Sequence, residues 1–218
     1  MPSASESVGP LIDRTARIHE SAIVERGVRI GPRSAVWDSV HIRGPETGIG
    51  ADCIVGEKTH ISYGVSIADR VKINAFVYIC TAVTIEVGVM ISAGTIFTND
   101  LYPRATTPDL LTLRASEPDE STRPTLVCEG ATIGARAVIG SDLVVGRFSM
   151  IGMGSVVTRS VGDFHLVVGH PARSVGYLCR CGEPLVRFAS GDFVEGQWEC
   201  SHCARRFHGE RGLVTEIT

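Results

Sequence analysis

Four of the seven cysteines lie near the C-terminus in a spacing that suits a metal ion. They form a Cys-x-Cys pair and a Cys-x-x-Cys pair separated by eighteen residues. Two thiolate pairs that meet across a hairpin provide the tetrahedral ligand set that structural zinc prefers. The first pair is one residue shorter than the usual spacing, but the apolar residues between the pairs favour a zinc-ribbon-like module. The predicted zinc ligands are Cys179, Cys181, Cys200 and Cys203.

These thiols have alternative uses, namely disulfides, free thiols, or a site in which His202 or His208 replaces one cysteine. The N-terminal residues are polar and serine-rich rather than an apolar leader, so we expect a cytoplasmic protein. Disulfides are rare in that compartment, which favours the metal. Four protein ligands leave no open position, so the zinc is expected to be structural rather than catalytic.

A second candidate for chemistry is the pair Asn99 and Asp100. An amide oxygen can accept a hydrogen bond from an amine and thereby aim the nitrogen lone pair at an electrophile. The competing interpretation is a simple turn, because both residue types favour turns. Four prolines and seven charged residues follow the pair before Leu126, so the segment 100–126 is predicted to be a loop. Loops of this length in a compact domain are commonly functional.

The elements that position these residues come from a six-residue repeat. Its period fits neither an α-helix nor an isolated alternating strand, and it is typical of a parallel β-helix. Three hexads then form one triangular coil, and coils stack about 4.8 Å apart. Nineteen of the twenty repeat positions are Val or Ile. They are Ile18, Val24, Ile30, Val36, Ile42, Ile49, Val55, Ile61, Ile67, Ile73, Ile79, Ile85, Ile91, Phe97, Val127, Ile133, Ile139, Val145, Ile151 and Val157.

The repeat predicts an all-β fold with three parts. Residues 1–14 are expected to be a disordered or irregular N-terminus. Residues 15–173 are expected to form a left-handed parallel β-helix from which the loop 100–126 projects. Residues 174–218 are expected to form the zinc-ribbon-like tail. Some apolar residues are assigned to the outer walls, and they favour a homo-oligomer that buries one or more walls. They are Val77, Ile79, Val83, Val89, Met90 and Met150.

Composition excludes two classes of partner. The formal net charge is −3 and no basic stripe occurs, so nucleic acid is not expected as a partner. The chain contains no apolar run long enough to span a membrane, so no membrane association is expected.

The nine residues from Phe97 to Ala105 carry a family resemblance. Phe-Thr-Asn-Asp-Leu-Tyr-Pro-Arg-Ala, placed within left-handed hexads, resembles the nucleotide-sugar N-acetyltransferases that acetylate a 3-amino sugar. These include the UDP-2-acetamido-3-amino-2,3-dideoxy-glucuronate and dTDP-3-amino-sugar N-acetyltransferases. The resemblance covers about residues 18–173. The stretches 154–159 and 169–173 are similar to many hexapeptide acyltransferases, whereas residues 74–76 and 80–82 depart from the family pattern.

The resemblance implies an acetyl-CoA-dependent transfer of acetyl to the 3-amino group of a nucleotide sugar, for cell-surface glycan synthesis. It also implies a homotrimer with active sites between adjacent subunits. The implied catalytic residues are Asn99 and Asp100. The implied substrate-binding residues are Trp37, His41, Arg43, Asn74, Tyr78 and Arg104. The implied acetyl-CoA contacts are Gly134, Gly152, Arg159 and Arg173.

The sequence is also compatible with two other functions. The chain is alternatively a non-enzymatic scaffold or assembly subunit that uses the ribbon as a docking module, although a scaffold has no need of the charged loop after Asn99. It is also alternatively an acyltransferase for another acceptor. Hydroxyl acceptors normally require a histidine base, and the Phe97–Ala105 motif contains no histidine.

Overall fold

The computed structural model describes residues 9–189 and 193–217, and every regular element in these ranges is a β-strand. These ranges contain no helix that could span a membrane. The solenoid strands are only two or three residues long because three of them, with their corners, share each coil. They are β1 (Leu11–Ile12), β2 (Arg17–Ile18), β3 (Ile23–Val24), β4 (Arg29–Ile30), β5 (Ala35–Val36), β6 (His41–Ile42), β7 (Gly48–Ile49), β8 (Ile54–Val55), β9 (His60–Ile61), β10 (Ser66–Ile67), β11 (Lys72–Ile73), β12 (Tyr78–Ile79), β13 (Val83–Ile85), β14 (Met90–Ile91), β15 (Ile96–Phe97), β16 (Thr125–Val127), β17 (Thr132–Ile133), β18 (Val138–Ile139), β19 (Leu143–Val145), β20 (Met150–Ile151) and β21 (Val156–Val157).

Successive strands fall in rotation on three parallel sheets, which form the faces of a prism. Face 1 runs β1-β4-β7-β10-β13-β16-β19, face 2 begins β2-β5-β8-β11-β14-β17-β20, and face 3 runs β3-β6-β9-β12-β15-β18-β21. We name the edges by the faces that they join, so that the chain crosses the 1–2, 2–3 and 3–1 edges in each coil. The predicted all-β, left-handed parallel β-helix is confirmed.

The prism interior is filled by the aliphatic repeat. Eighteen of the twenty predicted positions are buried, and the two exceptions, Ile18 and Val24, are half-buried in the first coil. Inward hydroxyls are satisfied by the backbone, as where the Ser34 hydroxyl donates to the Gly50 carbonyl at 2.7 Å. Val77, Ile79, Val83 and Val89 were assigned to the outer wall, and this was wrong, because each is at most 1% exposed. Ile79 belongs to the aliphatic repeat, and the three valines belong to the inward row of small and β-branched residues that precedes each aliphatic.

Both interruptions of the solenoid lie on the 3–1 edge. The extra residue near Gly44, Pro45 and Glu46 separates β6 on face 3 from β7 on face 1. The loop between Phe97 and Thr125 separates β15 on face 3 from β16 on face 1. Pairing continues in register on either side, with β13 next to β16, so the insertions leave the core stack intact. One edge of the prism therefore carries all of the added chain.

The C-terminal residues cover one end of the prism. β22 (His165–Gly169) pairs in parallel with β20, and β23 (Ala172–Leu178) and β24 (Pro184–Arg187) then continue the sheet antiparallel. β25 (Gly196–Glu199), β26 (Arg206–Glu210) and β27 (Leu213–Ile217) form a separate antiparallel sheet. β23 runs across the predicted division at 173/174, and solenoid pairing begins at Leu11, within the segment 1–14. Residues 1–8 of that segment lie outside the described residues.

An aromatic cluster joins the end of the prism to the tail. Phe148 and Phe164 project from successive corners of the 1–2 edge and stack with centroids 5.7 Å apart. Phe207 of the ribbon sheet packs against Phe164 at 5.3 Å. His165 is 5% exposed within this region. Its Nδ1 lies 2.9 Å from the Ser174 hydroxyl, and its Nε2 lies 2.9 Å from the Gly212 carbonyl. The imidazole therefore connects the last solenoid strand to both parts of the tail.

The protonation of His165 predicts a pH effect on stability. Burial lowers the pKa of His165 below its ordinary 6.5, so the folded chain binds a proton less readily than the unfolded chain. The contribution of the neutral, buried His165 to the free energy of unfolding is therefore complete above about pH 6.5, and it is lost as the pH falls below that value. Thermal unfolding between pH 7.5 and 5.5 should show a loss of stability in the wild type that is smaller in His165→Gln. Parallel pH profiles for the two proteins would contradict this.

Candidate functional site

A cavity of about 540 Å³ lies on the 3–1 edge between the prism and the projecting loop. The prism contributes Tyr78 of face 3 and corner residues that follow the face 3 strands, and the loop contributes its first and last parts. Five residues implied by the family resemblance line this cavity, whereas Trp37, His41 and Asn74 do not. The five are Arg43, Tyr78, Asn99, Asp100 and Arg104.

The loop is closed at its base, so the backbone beside the cavity is held in place. The Asn99 carbonyl accepts a hydrogen bond from the Arg123 N–H at 3.0 Å, and Asp100 forms an antiparallel bridge with Thr122. Further out, the Tyr63 hydroxyl lies 3.5 Å from the Ser116 carbonyl, which connects the loop to the prism wall. These contacts fix the position from which the Asn99 side chain projects.

The side chain of Asn99 is available for a ligand. It makes no hydrogen bond to any residue that the structure describes, although its backbone is anchored. The turn interpretation predicts a bond from the side chain to the local backbone, which is what Asp109 and Asp119 make elsewhere in the loop. Asp100 also lacks such a bond within the described ranges. The side chains of Asn99 and Asp100 therefore lack the local bonds that the turn interpretation predicts.

Other polar groups that line the cavity are a buried thiol, a phenol and three arginines. Burial raises the pKa of the Cys80 thiol to about 12, so this cysteine is protonated at neutral pH and is no nucleophile. Burial also raises the pKa of the Tyr78 phenol. Arg114 pairs with Asp119 at 3.8 Å within the loop, and one guanidinium nitrogen of Arg104 donates to the Pro103 carbonyl at 2.9 Å. Unlike Arg104 and Arg114, which belong to the projecting loop, Arg43 lies on the prism wall.

A column of side chains on face 3 leads into the cavity. The Nε2 of His41 lies 2.8 Å from a carboxylate oxygen of Glu25. The His60 ring meets the His41 ring edge-on, with centroids 5.1 Å apart, and stacks on Tyr78 at 5.4 Å. We did not predict roles for Glu25 and His60 from the sequence. The available signal was their spacing, since residues one coil apart lie 18 or 19 positions apart and share a row.

A different set of predicted residues lies along the 2–3 edge. Trp37 and Asn74 each follow a face 2 strand directly, as do Gly134 and Gly152, so the register places all four in one row. Arg173 pairs with Val168 in the hairpin that continues face 2 past Gly152. The structure therefore brings Gly134, Gly152 and Arg173 to the same edge as Trp37 and Asn74, away from the cavity.

Arg159 lies on the opposite edge from these residues. It follows β21 at the same offset at which Asn99 follows β15, and β15, β18 and β21 are successive strands of face 3. Two coils therefore separate Arg159 from Asn99, or roughly 10 Å at the usual strand spacing. Arg159 is exposed, and the structure shows no ion pair for it among the described residues.

The four predicted metal ligands form one cluster. The sulfur atoms of Cys179, Cys181, Cys200 and Cys203 all lie within 4.8 Å of one another, and two of the separations are 3.3 and 3.6 Å. A disulfide requires about 2.05 Å, whereas sulfurs about 2.3 Å from a tetrahedral zinc are roughly 3.8 Å apart. A hydrogen bond from the Arg205 backbone lowers the pKa of Cys203, whereas burial raises the pKa of Cys179. The donor set fits zinc.

Comparisons with known proteins agree with the fold. No protein-family model matches the chain. The chain is similar in structure to the UDP-N-acetylglucosamine acyltransferase from Campylobacter jejuni, with a TM-score of 0.50 at 14% identity over 76% of this chain and 74% of that one. That likeness shows the parallel β-helix.

Two curated relatives are similar in sequence. A dTDP-3-amino-3,6-dideoxy-alpha-D-galactopyranose 3-N-acetyltransferase from Aneurinibacillus thermoaerophilus is 39% identical over 98 residues, which is 45% of this chain and 47% of the relative. The bifunctional protein GlmU of Synechococcus sp. (strain CC9311) is 30% identical over 164 residues, covering 74% of this chain and 32% of the relative. The chain thus spans about half the first relative and a third of the second. The resemblance predicted from the motif at Asn99 is confirmed.

The requirement for glycine on the 2–3 edge has a structural explanation that can be tested. A Cβ on Gly134 would lie 2.5 Å from the Met153 nitrogen and 2.6 Å from the Ile151 oxygen, both backbone atoms of the next coil. Gly134→Ala should therefore destabilise the fold by about 1–3 kcal/mol through overpacking. Gly48→Ala is the matched control, because its nearest neighbour is a flexible arginine nitrogen at 3.8 Å. Equal melting temperatures for the two variants would contradict the explanation.

Proposed function

We propose that this protein is an acetyl-CoA-dependent N-acetyltransferase that acetylates the 3-amino group of a nucleotide-linked sugar in cell-surface glycan synthesis. The observation that carries the proposal is Asn99, whose backbone is anchored at the base of the loop while its side chain projects without a partner among the described residues. The sequence similarity to a dTDP-3-amino-sugar 3-N-acetyltransferase supports the same reaction.

In the proposed step, the amide oxygen of Asn99 accepts a hydrogen bond from the 3-amino group. The single lone pair of the nitrogen then points at the thioester carbon, which supplies the orientation that a two-substrate transfer requires. The C–N bond forms and the C–S bond breaks. The amine proton leaves with the thiolate of CoA, so no protein base is needed. Asp100, beside Asn99 and also unbonded within the described ranges, orients the sugar.

An amine acceptor suits the cavity better than a hydroxyl acceptor. A hydroxyl nucleophile normally requires a general base such as histidine, and no histidine is among the described residues that line the cavity. His41 stands nearby on face 3, but its Nε2 is engaged by Glu25. Cys80, which does line the cavity, is protonated. An amine needs only alignment, which Asn99 provides.

We place acetyl-CoA along the 2–3 edge, beside Gly134 and Gly152, with Arg173 available for its phosphates. Arg159 stands on the opposite edge, as does Asn99. The two half-sites thus occupy opposite edges of face 3, and one copy cannot bring them together. In a homotrimer, the 2–3 edge of one subunit faces the 3–1 edge of its neighbour, so each active site combines Arg159 and Asn99 of one chain with the glycine edge of the next. Exposed apolar side chains on face 3, Ile23 and Ile96, are consistent with such an interface.

We also propose that the four-cysteine cluster holds a structural Zn²⁺. The ribbon has a small core, consisting chiefly of Tyr177, Phe207 and Val214 with the buried cysteines. Domains of this size usually need a metal or disulfides to fold. In the cytoplasm, the location expected from the sequence, the thiols stay reduced and available. The metal supplies cross-linking of the two cysteine pairs, and it takes no part in the acetyl transfer.

Activity should be testable with acetyl-CoA and a panel of UDP- and dTDP-linked 3-amino sugars, by following release of the CoA thiol. We expect Asn99→Ala to reduce kcat by roughly 100-fold, because it removes the group that aligns the amine. Asp109→Ala is the matched control, since Asp109 is in the same loop but bonds only to loop residues. This control should keep wild-type turnover.

Two outcomes would overturn the proposal. Absence of thiol release with every amino sugar would favour the scaffold alternative. Turnover in Asn99→Ala equal to that of the wild type, with the oligomer intact by light scattering, would remove Asn99 from the mechanism.

Metal analysis of the purified chain should give one zinc per chain. Cys200→Ser should lose this zinc and lower the melting temperature, because binding of a structural metal is coupled to folding. Cys128→Ser, outside the cluster, is the matched control and should retain the metal. Hydrogen exchange of residues 196–217 provides a readout that is independent of activity. Stoichiometric disulfides between the four cysteines, found by mass spectrometry, would refute the zinc assignment.

A further inference from the structure

Face 3 presents hydrogen-bond donors that the proposed mechanism does not use. The His60 imidazole lies between the His41 and Tyr78 rings, and neither of its nitrogens has a hydrogen-bond partner among the described residues. Its side chain is partly exposed, on the side of Tyr78 away from the projecting loop. A half-buried imidazole with free nitrogens beside a polar cavity is equipped to bind a polar ligand.

Arg43 is held at the same place with its outer nitrogens free. Its Nε lies 3.6 Å from a carboxylate oxygen of Glu25, and its guanidinium carbon lies 5.1 Å from the centroid of the Tyr63 ring. These two contacts fix one edge and one face of the guanidinium. No other acceptor for Arg43 occurs in the part of the chain that the structure describes. The outer pair of nitrogens is therefore available for the bidentate bonds that arginine makes to phosphate.

Arg43 differs from the other two arginines of the cavity in its partner, because Glu25 is shared with His41 and the Gly44 N–H. Arg114 is paired with Asp119, and Arg104 donates to a loop carbonyl. The pKa of His60 is lowered chiefly by burial, then by the charge of His41 and then by that of Arg43. The positive charge of Arg43 therefore acts electrostatically on His60. Glu25, the acidic group that faces this pair, is already engaged by His41 and by the Gly44 N–H. A ligand that contacts both Arg43 and His60 therefore meets positive charge and N–H donors.

The distance along face 3 from Asn99 to His60 identifies the part of the substrate that would lie beside His60. Tyr78 is one coil and His60 two coils below the level of Ile96, or about 5 and 10 Å at the usual strand spacing. In a nucleotide sugar, the diphosphate is attached to C1. It therefore extends away from the 3-amino group, on the C1 side of the sugar ring. With the amine on Asn99 and the sugar ring over Tyr78, the phosphates lie at the level of His60.

We propose that Arg43 and His60 together bind the diphosphate of the nucleotide-linked acceptor, and that Glu25 and Tyr63 hold Arg43 for this purpose. This inference rests on the proposed function for the position of the sugar. It gives the substrate a direction, from Asn99 along face 3 toward the N-terminal coils. Because the ligands of the phosphates are a guanidinium and an imidazole on a rigid wall, the site distinguishes a nucleoside diphosphate from a free nucleoside.

The test uses the full-length protein and two probes, dTDP and thymidine, with calorimetric titration. In Arg43→Gln and in His60→Gln, the preference for dTDP over thymidine should fall roughly tenfold, the worth of one charge-assisted hydrogen bond. Arg29→Gln is the matched control, because Arg29 is an exposed arginine on face 1. It should bind both probes as the wild type does. Inorganic pyrophosphate should compete with dTDP in the wild type and compete less in the two variants.

The outcomes separate this inference from the proposed function. Unchanged dTDP affinity in both variants, or equal losses for dTDP and thymidine, would overturn the inference whether or not the enzyme transfers acetyl. Selective loss of dTDP binding would support it even if no amino sugar were acetylated. Arg43→Lys preserves the charge and provides a second variant should Arg43→Gln not fold. It should weaken dTDP binding less than glutamine does, and an effect equal to that of Arg29→Gln would also count against the subsite.

Discussion

The stacking of one coil on the next is the interaction on which the rest of this protein depends. Ile42, Ile61 and Ile79 are direct partners in successive strands of face 3, and each is essentially fully buried. A slip of one residue would turn every such side chain outward, so the register is strongly specified. This regularity also turns sequence distance into position, because residues about 18 apart share one row on the surface. Neighbouring functional groups can therefore be far apart in the chain.

The same constraint explains where chemistry can be placed. An inserted residue within a strand would break the aliphatic stack, whereas an insertion at an edge leaves both flanking strands paired. The extra residue near Pro45 and the loop between Phe97 and Thr125 both use the 3–1 edge. The cavity forms there because the loop folds back over the wall and is closed at Asn99 and Arg123. The wall supplies rigid residues such as Arg43, and the base of the loop supplies Asn99, whose side chain makes no hydrogen bond to a described residue.

Much of this arrangement could be predicted from the sequence, because a six-residue period and a cysteine spacing are local patterns. The core rows, the loop and the cysteine cluster follow from them directly. The edge that a residue occupies was harder to predict, because this prediction requires counting strands through the insertion at Gly44. Trp37 and Asn74 were grouped with the acceptor residues because the family resemblance implied it, although they lie on the other edge. No role was predicted for His60, because its partners, His41 and Tyr78, are near it only through coil stacking.

The two ends of the prism differ, and the difference gives the tail a physical purpose. At the N-terminal end, Ile18 and Val24 are half-buried because no described coil covers them. At the other end, β22 adds to face 2 and β23 reverses direction, which stops the parallel stack. Phe164 then packs against Phe207 of the ribbon. An uncapped last coil would present unpaired backbone and an apolar interior, which invites association of chains end to end. A short tail has too little core to cover that end by itself, and the zinc proposed for the cysteine cluster would supply the cross-link that a cap of this size needs.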